Sequence, residues 1–112
     1  MLARTNRLLT AADFRGVLRR GKRHSASVMT VSTLSTQEGS PARFGFIVTK
    51  KVGNAVRRNL VRRRLKAIAR DLVDGGLCEI DVVVRALPAS ADSGWVTLRD
   101  ELVTTVKGSA LR

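Results

Sequence analysis

The longest run of helical periodicity in the chain follows Gly53 and Asn54 and ends near Gly75. At about 100° per residue, its apolar side chains fall on one narrow stripe: Val61, Leu65, Ile68 and Leu72. Asn54 suits the N-cap, because its short side chain can accept a hydrogen bond from a free N–H group of the first turn. Glycine favours the end of a helix, because it tolerates the left-handed conformation there. The pattern therefore predicts a long helix with one face against a core.

Two shorter helical patterns lie nearer the ends of the chain. The first begins after Thr10, a suitable N-cap, and ends at Gly21. Its apolar side chains are Phe14, Val17 and Leu18. The last begins after Asp92 or Ser93 and closes at Gly108. Its apolar side chains are Trp95, Leu98, Leu102 and Val106.

Three segments have the alternation or the β-branched composition that is typical of strands: 26–34, 44–49 and 79–86. We expect the first two to be antiparallel, because only a short segment with Gly39 and Pro41 separates them. The predicted order of elements is αββαβα. This order indicates an α+β fold, with a small sheet on which the helices pack.

Length and composition predict a single folded domain over residues 1–112. Hydrophobic residues make up 44% of the chain, which argues against a disordered basic tail. Residues 1–9 include Arg4 and Arg7, and we expect them to form an extended basic arm. No apolar run is long enough for a bilayer, so we expect no membrane partner. The single cysteine, Cys78, excludes an internal disulfide and predicts a cytoplasmic protein.

Positive charge is concentrated in one segment. The net charge is +12, and residues 50–70 hold nine basic residues and no acidic one. Like charges four residues apart, as at Arg58, Arg62 and Lys66, cost a helix a few tenths of a kcal/mol per pair. Such a run can be a solvated surface, but a polyanion would neutralise it, and nucleic acid is the usual one. A second basic cluster surrounds the end of the first helix: Arg15, Arg19, Arg20, Lys22 and Arg23.

The sequence offers little catalytic chemistry. His24 is the only histidine, so a His pair or a His/Cys metal cluster is impossible. Glu79 and Asp81 lie on the same side of a predicted strand, where they either hold a metal ion or mark a solvated edge. An autonomous metal-dependent nuclease would depend on these two acids, because the other acidic residues are scattered. We predict no catalytic residue and no metal ligand in the chain.

The basic segment resembles the signature of the bacterial ribonuclease P protein component. The matching residues are Lys50-Lys51-Val52-Gly53-Asn54-Ala55-Val56, Arg58-Asn59 and Arg62-Arg63. Further segments that resemble the family are Asn6-Arg7-Leu8, Asp13-Phe14, Phe44-Gly45-Phe46 and Val82-Val83-Val84-Arg85. Two positions depart from the family pattern. Leu60 stands in place of a second arginine, and Ser32 stands where the family often has an aromatic residue.

The resemblance implies a two-layer α/β sandwich with a left-handed βαβ crossover, similar to a domain of a small-subunit ribosomal protein. It also implies a protein subunit that binds a catalytic RNA and the 5′ leader of precursor tRNA, whose removal the RNA catalyses. Magnesium ions would be held mainly by the RNA and the substrate, with one protein per RNA. The alternative is a non-enzymatic RNA-binding module, such as a ribosomal protein or an assembly factor, since composition alone allows either.

On this basis we assign two RNA-binding surfaces. The first would contact the catalytic RNA and comprises Lys50, Lys51, Asn54, Arg57, Arg58, Asn59, Arg62, Arg63, Lys66 and Arg70. The second is a groove between the sheet and the first helix that would hold the unpaired leader. It comprises Arg7, Phe14, Leu18, Val28, Thr30, Ser32, Phe46 and Val48. Phosphate contacts dominate the first surface, and base stacking and backbone contacts act in the second.

Overall fold

The computed structural model describes residues 2–110 of the chain, with the side chain of residue 110 left out. Three α-helices and four β-strands form an α+β fold, which confirms the predicted class. The helices are α1 (Ala11–Arg20), α2 (Ala55–Asp74) and α3 (Gly94–Ala110). The strands are β1 (Lys22–Ser25), β2 (Met29–Ser35), β3 (Arg43–Ile47) and β4 (Ile80–Ala86). The ends of the predicted domain, residues 1, 111 and 112, lie outside the described residues.

The four strands form one sheet in the order β1-β2-β4-β3. β2 is antiparallel to both β1 and β4, whereas β3 and β4 are parallel and are joined through α2 as a βαβ unit. The first two predicted strands therefore run in opposite directions, but β4 lies between them. The left-handed crossover of the βαβ unit stays a prediction.

The predicted order αββαβα lacks β1. Its four residues, Lys-Arg-His-Ser, are polar and mostly exposed, so they give no apolar alternation. The strand forms because its backbone pairs with β2, from Lys22 opposite Thr33 to Ser25 opposite Thr30. An edge strand of this kind carries few buried side chains and many charges, which also protect the edge from further pairing.

The main core lies between the sheet and the pair α2 and α3. The predicted stripe of α2 is buried there, as are three of the four residues predicted for α3: Val61, Leu65, Ile68 and Leu72, and Leu98, Leu102 and Val106. The fourth, Trp95, is only half-buried against this core. They pack with Val31, Val82 and Val84 of the two central strands. A smaller cluster on the opposite face of the sheet joins Val17 of α1 to Val83 and Leu8. The helices thus cover both faces of the sheet, α1 covering one alone.

Besides small shifts at the ends of the predicted strands, three regions differ from the prediction. The N-terminal segment is not an extended arm throughout, because residues Arg4–Asn6 form a 3₁₀ turn and Leu2 and Leu8 are buried. The N–H group of Leu8 donates to the carbonyl of Phe44 at 2.9 Å, which ties this segment to the edge of β3. The strand predicted over 44–49 ends at Ile47, and a 3₁₀ turn follows at Lys50–Val52. α3 continues through Gly108, since no left-handed residue interrupts it there.

Gly45 is required where α1 crosses the sheet. A Cβ atom at this position would lie 2.4 Å from Cζ of Phe14, whereas a Cβ atom at Gly108 would meet nothing within 4 Å. We expect Gly45→Ala to lower the free energy of unfolding by about 1–3 kcal/mol, because the ring must move from its packed position. Gly108→Ala is the control and should be neutral or stabilising, because alanine favours a helix. Urea denaturation measures both, and equal stability of the two variants would contradict the close packing of Phe14.

Candidate nucleic-acid interface

The basic segment begins with a tightly built turn. Gly53 has φ of 151°, and a Cβ atom there would lie 2.9 Å from Cδ of Arg57. Asn54 caps α2 as predicted, because its Oδ1 accepts a hydrogen bond from the N–H group of Arg57 at 3.0 Å. The side chain of Asn54 is therefore engaged in starting the helix. These two residues fix where the basic side chains of the first turn leave the backbone.

The residues predicted to contact the catalytic RNA differ in exposure. Lys50, Lys51, Asn54, Arg57, Asn59, Arg63 and Arg70 are exposed, and Arg58, Arg62 and Lys66 are half-buried. Two of these cations have an acidic partner within 4 Å: Arg57 lies 3.4 Å from Asp92, and Arg70 lies 3.6 Å from Asp74. The other six form no ion pair with any residue from 2 to 110. α2 thus presents a dense positive face that the described part of the chain leaves largely unneutralised.

Two half-buried cations of α2 connect this face to a cavity beside α1, which we call the aromatic cavity. Arg62 is held in place, because its Nη2 donates to the carbonyl of Val48 at 3.2 Å and its Nη1 to Oδ1 of Asn59 at 3.1 Å. The cavity has a volume of about 260 Å³. Its lining includes Arg7, Phe14, Phe46, Arg62 and Lys66. It therefore combines cations from both predicted surfaces with an aromatic ring from α1.

A second cavity, the hydroxyl groove, lies over the central strands on the same side of the sheet as α1. Its volume is about 390 Å³. It is lined by Leu18, Arg23, Thr30, Ser32, Val83 and Arg85. Leu18, Thr30 and Ser32 were predicted for the leader groove, and the structure brings them together. The ring of Phe14 does not line this groove. It packs over Gly45 on β3, which is paired with Val83 at the edge of the groove.

Val28 and Val48 do not line either cavity, which corrects the predicted groove. Both are buried in the main core, on the α2 and α3 side of the sheet. Alternation places Phe44, Phe46 and Val48 on the face opposite to Gly45 and Ile47, and it is Gly45 and Ile47 that face α1. Phe46 reaches the aromatic cavity because β3 is an edge strand. Val28 precedes β2, in a turn whose N–H group donates to Oε1 of Glu101.

Three residues that line the hydroxyl groove were absent from the predicted leader groove: Arg23, Val83 and Arg85. Val83 and Arg85 could have been found, because alternation in β4 puts both on one face. Arg23 could not, since its contribution depends on β1, and nothing apolar marked that strand.

The acids that were considered for metal binding have other partners. Asp81 is buried and accepts two hydrogen bonds from Arg43, at 2.9 and 2.7 Å, and this hydrogen bonding raises the pKa of Arg43. Glu79 accepts a hydrogen bond from the N–H group of Gly39 at 2.8 Å. Within residues 2–110, no three His, Cys, Asp or Glu side chains group together as a metal ion would require. The two acids on which an autonomous nuclease would depend are therefore engaged with other groups of the chain.

The family model for ribonuclease P matches residues 2–109. The chain belongs to the ribonuclease P protein family. A ribonuclease P protein component from Clavibacter michiganensis subsp. michiganensis is 46% identical over 106 residues, covering 95% of this chain and 94% of the relative. Another from Pseudarthrobacter chlorophenolicus is 49% identical over 102 residues, covering 90% of this chain and 74% of the relative. The resemblance inferred from the sequence is confirmed.

Solved structures agree with this assignment. The ribonuclease P protein of Staphylococcus aureus superposes with a TM-score of 0.82 at 25% identity, covering 93% of this chain and 94% of that one. The protein from Thermotoga maritima gives a TM-score of 0.77 at 25% identity, with 90% and 94% covered. Membership of the ribonuclease P family favours a ribonuclease P protein subunit over an unrelated RNA-binding module. Within residues 2–110, every helix is too short or too polar to span a membrane.

Proposed function

We propose that the chain is the protein subunit of the ribonuclease P ribonucleoprotein. It binds the catalytic RNA and the 5′ leader of precursor tRNA, and it promotes endonucleolytic removal of that leader, in the cytoplasm. The observation that carries this proposal is that the basic face of α2 adjoins the aromatic cavity. The unneutralised face of α2 runs directly into the aromatic cavity through Arg62 and Lys66, in a chain of the ribonuclease P family.

The face of α2 is the surface for the catalytic RNA, with one protein bound per RNA. A rigid helix carrying unpaired cations suits an RNA backbone, because phosphate contacts position a protein without reading sequence. Lys50, Lys51 and Arg63 are exposed and supply flexible or forked donors, whereas Arg62 is pre-oriented by its two hydrogen bonds. Counterions are released from the RNA as these cations bind, so the affinity should fall steeply with salt.

The α1 side of the sheet is the surface for the leader. An unpaired strand presents its bases, which an exposed aromatic ring can stack against, and its phosphates, which arginine can bind. The aromatic cavity offers Phe14 with Arg7, and the hydroxyl groove continues across the sheet to Arg23 and Arg85. The leader would follow these two cavities in turn.

The chain itself contributes binding and positioning to the reaction. Asp81 is held by Arg43 and Glu79 by a backbone N–H group, and residues 2–110 contain no group of three side chains that could hold a metal ion. We assign the magnesium ions to the catalytic RNA and the substrate, as the family resemblance implies. By holding the leader and neutralising phosphates, the protein lowers the magnesium concentration that cleavage requires.

Cleavage of precursor tRNA at low magnesium tests the proposal as a whole. The assay compares the protein alone, the catalytic RNA of the same organism alone, and the two together. We expect cleavage to be fast only when both are present, because the RNA supplies the chemistry and the protein the affinity for the leader. Cleavage by the protein alone would restore a nuclease mechanism. If the protein has no effect on cleavage at any magnesium concentration, the chain is a general RNA-binding module instead.

Removing two exposed cations, one from the 3₁₀ turn before α2 and one from α2 itself, should weaken binding to the catalytic RNA. For Lys51→Ala combined with Arg63→Ala, we expect the slope of log affinity against log salt to become shallower by roughly 1.5–2, since about one counterion is released per phosphate contact. The matched control is Arg99→Ala combined with Lys107→Ala, which removes the same charge from α3. Filter binding over a salt series measures both. The same slope for the two variants would contradict the assignment of α2.

The ring of Phe14 should contribute to leader binding. Phe14→Leu keeps an apolar side chain beside Gly45 but removes the flat face on which a base stacks. We expect the holoenzyme to lose roughly fivefold in affinity for precursor tRNA, about 1 kcal/mol, with mature tRNA unaffected. Val96→Ala, at an exposed apolar position of α3, is the control. Equal losses for precursor and mature tRNA would argue against stacking, and thermal denaturation checks that the fold is intact.

A further inference from the structure

Two buried hydroxyl groups face the hydroxyl groove without a partner. Thr30 and Ser32 are 9% and 4% exposed, and their hydroxyls form no hydrogen bond with any residue from 2 to 110. Both residues line the hydroxyl groove, and neither oxygen is among the enclosed side-chain atoms of residues 2–110 that lack a partner. Thr33, on the opposite face of β2, shows the usual arrangement, because its hydroxyl donates to Oγ of Ser109 at 3.2 Å. A ligand that displaces water from these hydroxyls must replace its hydrogen bonds, so the groove suits a polar ligand.

The register of the sheet puts cations on both sides of these hydroxyls. Arg23 on β1 stands opposite Ser32, and Arg85 on β4 stands opposite Thr30. Both arginines line the groove, and neither forms an ion pair within residues 2–110. The groove therefore holds two hydrogen-bonding hydroxyls between two guanidinium groups. A guanidinium group binds a phosphate through two parallel hydrogen bonds, so this pattern matches a sugar joined to a phosphate.

The groove also lacks what base stacking requires. Its six lining residues include no aromatic side chain, and Ser32 occupies the position where the family resemblance led us to expect one. The nearest aromatic ring on this face is that of Phe14, packed over Gly45. Gly45 and Arg23 lie at the two ends of one row across the sheet, about 14 Å apart for three strand spacings. The two cavities can thus act on different nucleotides of one strand.

We propose that the hydroxyl groove binds the ribose and phosphate of one leader nucleotide and recognises its 2′-hydroxyl through Thr30 and Ser32. A 2′-hydroxyl both donates and accepts hydrogen bonds, as do the hydroxyls of serine and threonine, so the three groups are complementary. Arg23 and Arg85 bind the adjoining phosphates. The position is selective for RNA over DNA and tolerant of the base. This inference rests on the proposed function, because it assumes that the leader lies on this face.

Precursor tRNAs with a single 2′-deoxy substitution at successive leader positions test the inference. With the reconstituted holoenzyme, we expect one or two positions at which the deoxy substrate binds about two- to tenfold more weakly, the range for a lost hydrogen bond. Base changes at the same positions should have little effect. The double variant Thr30→Val and Ser32→Ala should bind the all-RNA leader as weakly as the deoxy leader and show no further loss with it. The control Thr104→Val removes an exposed hydroxyl on α3 and should retain the full loss of affinity on 2′-deoxy substitution.

The outcomes separate this inference from the proposed function. A wild-type holoenzyme that prefers precursor to mature tRNA, yet is indifferent to every 2′-deoxy substitution, would overturn the hydroxyl recognition alone. A double variant that keeps the deoxy penalty would do the same. No preference for precursor tRNA would overturn the leader surface and this inference with it. Thermal denaturation gives an independent readout: removing unpaired hydroxyls should leave the melting temperature unchanged or higher, and a fall of several degrees would reveal a structural role instead.

Discussion

Burial of the apolar stripe of α2 is the constraint on which the rest of the molecule depends. The helix carries nine cations with the turn before it, and two arginines lie near its N-terminus, where the helix dipole disfavours positive charge. Each like-charge pair costs a few tenths of a kcal/mol, whereas each fully buried leucine, isoleucine or valine contributes about 1.5–3 kcal/mol. Four such residues anchor the stripe, so burial exceeds repulsion. The basic face is therefore held rigid before any RNA neutralises it.

The two faces of the sheet differ in how completely the helices cover them. On one face, Val31, Val82 and Val84 join α2 and α3 in a closed apolar core. On the other face, the short helix α1 covers the sheet only in part, with Val17 over Val83, and leaves polar positions of β2 and β4 accessible. Alternation along each strand makes this division possible, because one residue packs in the core and the next lies on the side of α1 and the hydroxyl groove. Gly45 then lets α1 approach closely enough to place Phe14 at the edge.

The sequence was informative wherever a single element decided the outcome. Helical periodicity located α2 with its cap at Asn54, and it identified the buried faces of α2 and α3, because these depend on spacing within one segment. Sequence periodicity failed where pairing between segments determines the structure. β1 has no apolar pattern and exists through its bonds to β2, and its absence from the prediction concealed Arg23. Val28 and Val48 were assigned to the groove because their apolar character does not say which side of the sheet they face.

The structural matches bear on how such a site can change while the fold stays the same. A TM-score of 0.82 at 25% identity shows that most side chains can be replaced without altering the backbone path. What must be kept is the pattern of burial, because cores accept apolar substitutions that preserve volume and patterning. Position 32 lies outside the apolar core, since its side chain lines the hydroxyl groove on the α1 side of the sheet. An aromatic residue there offers a face for a base, whereas serine offers a hydroxyl for a sugar. On our proposal, a substitution at this one strand position changes which part of a nucleotide is recognised, and the register of β2 need not move.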